Sequence, residues 1–266
     1  MILKGRRISG GTAEGPILRV DHPVSFLGGV DPKTGQLQDR AHGDTGESVA
    51  GRIFAFPQGK GSTVGSYAMY GLRLSGVAPA GIVNAHAEPI IATGAIIAEI
   101  PMIDGIDIGL LETDDQGILR ASAGELELPG VGHREVVTSI LSCEGRYLIL
   151  KRSGEVGTYQ HHWAGVSGYV NPGESPQEAS LREVAEETGS SKAQLLASAR
   201  PIRRRHGSTV WEIHPFLYQV PERTVQTDWE HEEVRWILRE ELSGFQTVPW
   251  LDEVFDALIA AVPRPR

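Results

Sequence analysis

Residues 168–189 read GYVNPGESPQEASLREVAEETG, with five glutamates and one basic residue, Arg182. The stretch dictates its own conformation. Ser175-Pro176-Gln177-Glu178 is a helix start: Ser175 caps free N–H groups, and Glu178 reaches back to close a capping box. Pro176 suits the first helical position, where a missing N–H costs nothing, and Gly189 is the stop. The spacing predicts one helix over 176–188 with Leu181, Val184, Ala185 and Thr188 as its buried stripe. Glu183, Glu186 and Glu187 then share another face. Like charges at that spacing repel by about 0.2–0.5 kcal/mol per pair, so stability alone does not place them there. Hard oxygen ligands suit magnesium, and a divalent cation would turn the repulsion into binding. The competing reading is a solvated acidic helix face.

The wider pattern weighs against that competing reading. Gly168, five residues, Glu174, seven residues, Arg182-Glu183, Val184, one residue, Glu186-Glu187, one residue and Gly189 resembles the Nudix box at every fixed position. One departure follows it: Ser190 stands where that family has an aliphatic residue, which weakens local packing and touches no ligand. The resemblance covers about 133–266. It includes two apolar runs around Glu144-Gly145 that read as a hairpin, the alternating strand WEIHPFLYQV (211–220) and a closing helix in FQTVPWLDEVFDAL (245–258). It implies an α/β/α sandwich that hydrolyses a diphosphate linkage. Glu183, Glu186 and Glu187 would hold magnesium, Glu186 would act as the base on water, and Arg182 would orient a carboxylate. An extra acidic ligand is expected from Glu232 or Glu233, against the alternative of an exposed loop. Arg203-Arg204-Arg205, His161 and His162 are weaker candidates for substrate contact; their alternatives are a solvated basic run and the edge of the sheet.

Glycine separates this half from what precedes it. Of 32 glycines, 23 lie before position 133, which argues for two domains. The turn-rich LELPGVGHRE (126–135) is the natural joint, giving domains 1–130 and 133–266. A formal charge of −9 with no basic stripe speaks against nucleic acid as a partner. The most apolar run, PIIATGAIIAEIP (89–101), is too short for a membrane span, so no membrane partner is expected. The opening Met1-Ile2-Leu3-Lys4 lacks a signal-like apolar run. The single cysteine, Cys143, excludes an intramolecular disulfide and reads as a small buried hydrophobe, which suits a reducing cytoplasm.

The first half reads as short strands, ILRV (17–20), RIFAF (52–56) and GIVNA (81–85), broken by glycine turns. PIIATGAIIAEI (89–100) fits a buried helix or strand. AFPQGKGSTVGSYAMYGLRLSG (55–76) reads as strand, glycine-rich loop and helix. GKGST is not a Walker loop: Gly61 separates Lys60 from Ser62, and Phe54 holds the position of the earlier glycine. Small residues before a helix nevertheless expose N–H groups to an anion. GGVDPKTG (28–35), DRAHGDTGESVAGRIFAFPQGKGSTVGS (39–66) and NAHAEPIIATGAIIAEIPMID (84–104) resemble the small, swivelling subunit of the aconitase X family, which includes the archaeal phosphomevalonate dehydratase. That resemblance implies a β/α swivel domain in which Ser62 removes a proton and Lys60 and Gly61 help bind substrate; the alternative is that Ser62 caps the following helix. His42, Asp44 and His86 lie in matching blocks and receive no chemical role. The family's dehydration uses an iron–sulfur cluster. Such clusters are held largely by cysteines, and one buried cysteine cannot supply them. A [4Fe-4S] cluster is therefore expected in a large partner subunit.

Taken together, the sequence predicts an α/β and α+β two-domain chain. It would be the small subunit of a dehydratase acting on mevalonate 5-phosphate, fused to a magnesium-dependent Nudix hydrolase of a phosphorylated small molecule. The alternative makes the swivel half a metabolite-sensing module that regulates the hydrolase.

Overall fold

The computed structural model describes residues 1–39 and 43–262, without the side chains of Asp39, Asp44 and Thr45. His42 and the side chain of Asp44 thus lie outside the described residues. The chain divides into two compact units: Met1–Gly132 with Arg205–Thr209, and His133–Arg204 with Val210–Arg266.

In the first unit an eight-stranded sheet runs in the order Ile2–Lys4, Glu125–Glu127, Gln116–Arg120, Thr12–Arg19, Ile53–Phe56, Gly81–Asn84, Met102–Asp104, Arg6–Ser9. Its middle is parallel, Thr12–Arg19 to Ile53–Phe56 to Gly81–Asn84 to Met102–Asp104, and its flanks are antiparallel. Ile53–Phe56 and Gly81–Asn84 are buried throughout, as parallel strands covered on both faces must be. Helices Val64–Leu74 and Pro89–Ile97 make the crossovers and pack on each other. The sequence left 89–100 open between helix and strand. The helix wins because Pro89 takes its first turn and the Glu88 carboxylate accepts from the N–H groups of Ile90 and Ile91, at 2.8 and 3.0 Å.

The second unit has a sheet with the path Trp163–Ala164, Arg146–Arg152, Gly132–Cys143, Thr209–Gln219, Gln194–Ser198. Val166–Tyr169, Ile202–His206 and His231–Ile237 pair beside it. Strand alternation divides its side chains between two cores. Val137, Leu141, Leu148, Leu150 and buried Cys143 face one cluster, which also takes Ala179 and Val184 from the helix Pro176–Thr188. Ile140 and Ile149 face the other, filled by Leu251, Val254, Phe255 and Leu258 of the helix Leu251–Ala261. The result is a helix–sheet–helix sandwich.

Candidate active sites

The helix Pro176–Thr188 begins as the sequence predicts. The Ser175 hydroxyl accepts from the Glu178 N–H, the Glu178 carboxylate accepts from the Ser175 N–H at 2.8 Å, and Gly189 closes the helix with φ +69°. The buried stripe differs from the predicted one. Val184 and Thr188 are buried, but Leu181 and Ala185 are exposed, and Ala179, Ser180 and Glu187 are buried in their place. The helix is therefore rotated so that its glutamates grade from core to solvent. Glu187 is 4% exposed, the Glu183 side chain 13% and the Glu186 side chain 59%.

This phase presses Glu183 against the strand Val166–Tyr169. A Cβ built on Gly168 would meet Glu183 Oε1 at 1.8 Å, so glycine here is required by the carboxylate that lies over it. Arg182 gathers the neighbouring acids. It meets Glu174 with Nε at 2.9 Å and Nη2 at 3.1 Å, donates from Nη1 to Glu183 at 2.6 Å and Glu186 at 3.2 Å, and donates from Nη2 to the Tyr169 carbonyl at 3.0 Å. Much of the repulsion expected among the glutamates is thus offset inside the chain. These bonds also hold the guanidinium well above the usual arginine range, Glu174 first.

Glu187 stands apart from that network. Its Oε1 accepts only a long bond from the Ser167 N–H, at 3.3 Å, and its Oε2 is buried without a hydrogen-bond partner. Burial, then the charge of Glu183, pushes its carboxyl well above the ordinary range, and Asp228 and Glu230 push the same way. Burial likewise raises Glu183, against the pull of Arg182.

Asp228 and Glu230 also bear on Glu187 through their charge. Glu232 is spent on Lys151 at 2.8 Å and His161 at 3.1 Å, and Glu233 on Arg235. These pairings follow from strand alternation: at the start of His231–Ile237 the inward side chain is His231, with 2% side-chain exposure, and its neighbour Glu232 points away. His231 Nδ1 lies 3.0 Å from Asp228 Oδ1, and its Nε2 lies 3.5 Å from Glu187 Oε2. Sequence reasoning missed Asp228, Glu230 and His231. Alternation gives no signal for the two acids, since 228, 230 and 232 share a parity and the strand begins only at His231.

Arg203 pairs with Glu212 and Arg204 with Glu253, so neither is an open phosphate contact. His162 bonds the Gln160 carbonyl at 2.8 Å and Gln246 at 3.0 Å. Ser190 lines a pocket of about 220 Å³ with Leu141, Val220, Val225 and Trp236, where an aliphatic side chain would add packing.

Do the box residues suit a divalent cation? The donor set is all carboxylate oxygen, and the unpartnered Glu187 Oε2 is a buried lone pair without a proton donor; both fit a hard cation. Among the described residues, however, no group of three or more His, Cys, Asp or Glu side chains is gathered to hold a metal ion. Arg182 holds Glu183 and Glu186 instead.

In the first unit, Lys60, Gly61 and Ser62 form the loop after Ile53–Phe56, at the carboxyl ends of the parallel strands, where open α/β sheets bind ligands. The loop is fastened on two sides. Val24 exchanges backbone bonds with Gln58 and Lys60, and the His86 N–H donates to the Pro57 carbonyl. The buried Asn84 amide donates to the Phe56 carbonyl at 2.7 Å. Gly61 has φ +121°, a conformation open to glycine. Ser62 is exposed, and the residue capping Val64–Leu74 is Thr63, without a side-chain capping bond. The Ser62 carbonyl accepts from the Gly65 N–H at 2.9 Å, in the opening turn of that helix.

Two family models match the chain: the aconitase X swivel domain over residues 2–128 and the NUDIX domain over residues 132–258. The phosphomevalonate dehydratase small subunit of Thermococcus gammatolerans is 52% identical over 128 residues, spanning 48% of this chain and 98% of that protein. The chain belongs to the aconitase X swivel family. A NUDIX domain is fused behind the swivel domain. Among solved structures, aconitase X of Thermococcus kodakaraensis is 50% identical, covers 48% of this chain and 98% of that one, and has a TM-score of 0.47. The MutT protein of Methanosarcina mazei Go1 is 28% identical, covers 47% and 92%, and has a TM-score of 0.43. The mixed α/β architecture of both halves agrees with the predicted fold class. Among the described residues no helix is long and apolar enough to cross a membrane.

Proposed function

We propose that the chain is the small subunit of an iron–sulfur dehydratase of mevalonate 5-phosphate, fused to a magnesium-dependent hydrolase of a diphosphate-linked metabolite. The hydrolase reading rests on the buried, unpartnered Oε2 of Glu187 beside Glu183. Glu183, Glu186 and Glu187 would hold magnesium, which supplies neutralisation of phosphate charge and a more acidic bound water. Glu186, the most exposed of the three, takes the proton from water as general base. Arg182 orients the Glu183 and Glu174 carboxylates, and Gly168 leaves room for Glu183.

The dehydratase reading rests on likeness to the Thermococcus small subunit over the whole swivel domain. Ser62 removes the proton; loop N–H groups and Lys60 stabilise its alkoxide and the substrate phosphate. The large subunit brings the [4Fe-4S] cluster and most of the substrate site.

The test is hydrolysis of nucleoside diphosphate derivatives and isoprenoid-pathway diphosphates, with and without magnesium, beside Glu187→Gln. Magnesium-dependent turnover lost in the variant supports the hydrolase; no turnover on any compound removes it. For the swivel half, anaerobic co-purification with the large subunit is expected, and failure to associate overturns that role.

A further inference from the structure

We infer that the second unit carries a further ligand site, beyond the end of the box helix, which takes a small, uncharged, flat heteroaromatic ring such as a nucleobase. The inference stands whether or not the glutamates hold a cation. A pocket of about 220 Å³ lies between the residues that follow Thr188 and the loop after Thr209–Gln219. Its floor is Leu141, Val220, Val225 and Trp236, which belong to or pack against the core on the box-helix side of the sheet. The one donor of the Trp236 indole is already given to the Arg223 carbonyl, at 3.0 Å, so the rest of the ring is an apolar wall. Ser190, standing where a longer aliphatic side chain would fill the space, keeps the pocket open. A second hollow of about 570 Å³ adjoins it through Ser191, Lys192, Val220 and Pro221.

The rim supplies the polar groups. The hydroxyls of Ser190 and Thr224 and the side-chain amide of Gln226 line it, and among the described residues they take no partner within the chain. Their donors and acceptors are open to the edge of a ligand. Lys192 and Glu222 line it with opposite charges, and neither has an ion-pair partner among the described residues. The two charges cancel, so the pocket gives a phosphate no advantage over an uncharged group. A prenyl chain would cover the floor but dry the rim without pairing it, at a cost for each polar group. A flat heteroaromatic ring meets both surfaces: its faces lie on aliphatic and indole carbon, and its edge carries donors and acceptors. The size agrees. The volume falls below the roughly 300–1,000 Å³ of sites for drug-sized ligands, so the pocket suits a ring, and the adjoining hollow leaves room for a sugar.

The test is nuclear magnetic resonance of the full-length chain, titrated with adenosine, inosine, cytidine and uridine, each up to about 10 mM, beside inorganic phosphate and isoprenol. At least one nucleoside is expected to bind with a dissociation constant on the order of 0.1–1 mM, as a ligand of this size allows. It should shift the Trp236 indole and Gln226 side-chain amide signals, identified from W236F and Q226A, and phosphate should leave both in place. S190L should weaken that binding at least about 10-fold, because the longer side chain occupies the pocket, and should melt no lower than wild type. If S190L does not fold, Q226A decides, with an expected weakening of about 10-fold for one lost hydrogen bond. Three results overturn the site: no nucleoside binds; a nucleoside binds without moving the Trp236 signal or with unchanged affinity in the deciding variant; or phosphate or isoprenol moves the signals in preference to every nucleoside. Absence of diphosphate hydrolysis refutes the proposed function and leaves this site untouched.

Discussion

Gly168→Ala separates folding from function in the NUDIX domain. A Cβ at this position would stand 1.8 Å from Glu183 Oε1, 2.0 Å from its Cδ and 2.5 Å from its Oε2. Ordinary contact begins near 3.5 Å, so the carboxylate must retreat by roughly 1.5 Å. The backbone does not resist alanine, because Gly168 is not among the residues with positive φ. What moves is the far end of a flexible side chain, which loses its bond to Arg182 Nη1. The lost pair is partly buried, with Arg182 29% and Glu183 13% exposed, so its cost lies at the upper end of about 0–1 kcal/mol, and the stiffer unfolded chain returns about 0.4–1 kcal/mol. The melting temperature should therefore stay within about 3 °C of wild type. A displacement of about 1 Å in a catalytic group costs on the order of 100-fold in rate. Melting, divalent-cation affinity and diphosphate hydrolysis should be measured on the same preparation. Unchanged melting with weakened metal binding and a turnover loss near two orders of magnitude is expected. Wild-type cation affinity and turnover in Gly168→Ala would refute the claim that glycine serves Glu183.

Three further outcomes follow from the same geometry. Burial raises the folded-state pKa of Glu187, so its stabilising share is full below the ordinary glutamate value and is lost as pH rises through the raised one. With a chelator present, Glu187→Gln should melt higher than wild type at pH 8, by about 1–3 kcal/mol for relief of a buried orphan, and the gap should shrink at pH 5; a gap that grows toward acid contradicts the burial. Ser175→Ala should cost about 1 kcal/mol, read by denaturant unfolding, since it removes one arm of the capping box. Ser62→Ala should leave swivel-domain stability within about 0.5 kcal/mol, because the hydroxyl does not cap Val64–Leu74, yet stop dehydration when reconstituted with a large subunit; retained dehydration removes Ser62 from the chemistry.

The ends of the box helix were legible because caps are local. Ser175, Pro176, Glu178 and Gly189 act within a few residues of themselves. The rotation of that helix was not, because apolar spacing chose Leu181 and Ala185, whereas the fold buries Glu187. A carboxylate in a core contradicts the hydrophobic pattern, and such contradictions concentrate at functional sites. Pairing decided the remaining candidates. Glu232, Arg203 and Arg204 look available in one dimension and meet Lys151, Glu212 and Glu253 in three. His231 reads in sequence as one more residue of an acidic run; only the turn at Asp228 reveals which way its ring points.

Arg182 binds three carboxylates of the box at once, and this bears on the order of events in the life of the chain. Its guanidinium already does for Glu174, Glu183 and Glu186 part of what a cation would do. The domain can then fold in a metal-poor cell and be loaded afterwards, unlike zinc fingers, in which binding and folding are one transition. Uptake becomes an exchange, in which the incoming ion must loosen a tethered cation from Glu183 and Glu186. Its rate should rise with ionic strength, as screening weakens the exposed Arg182–Glu186 contact first.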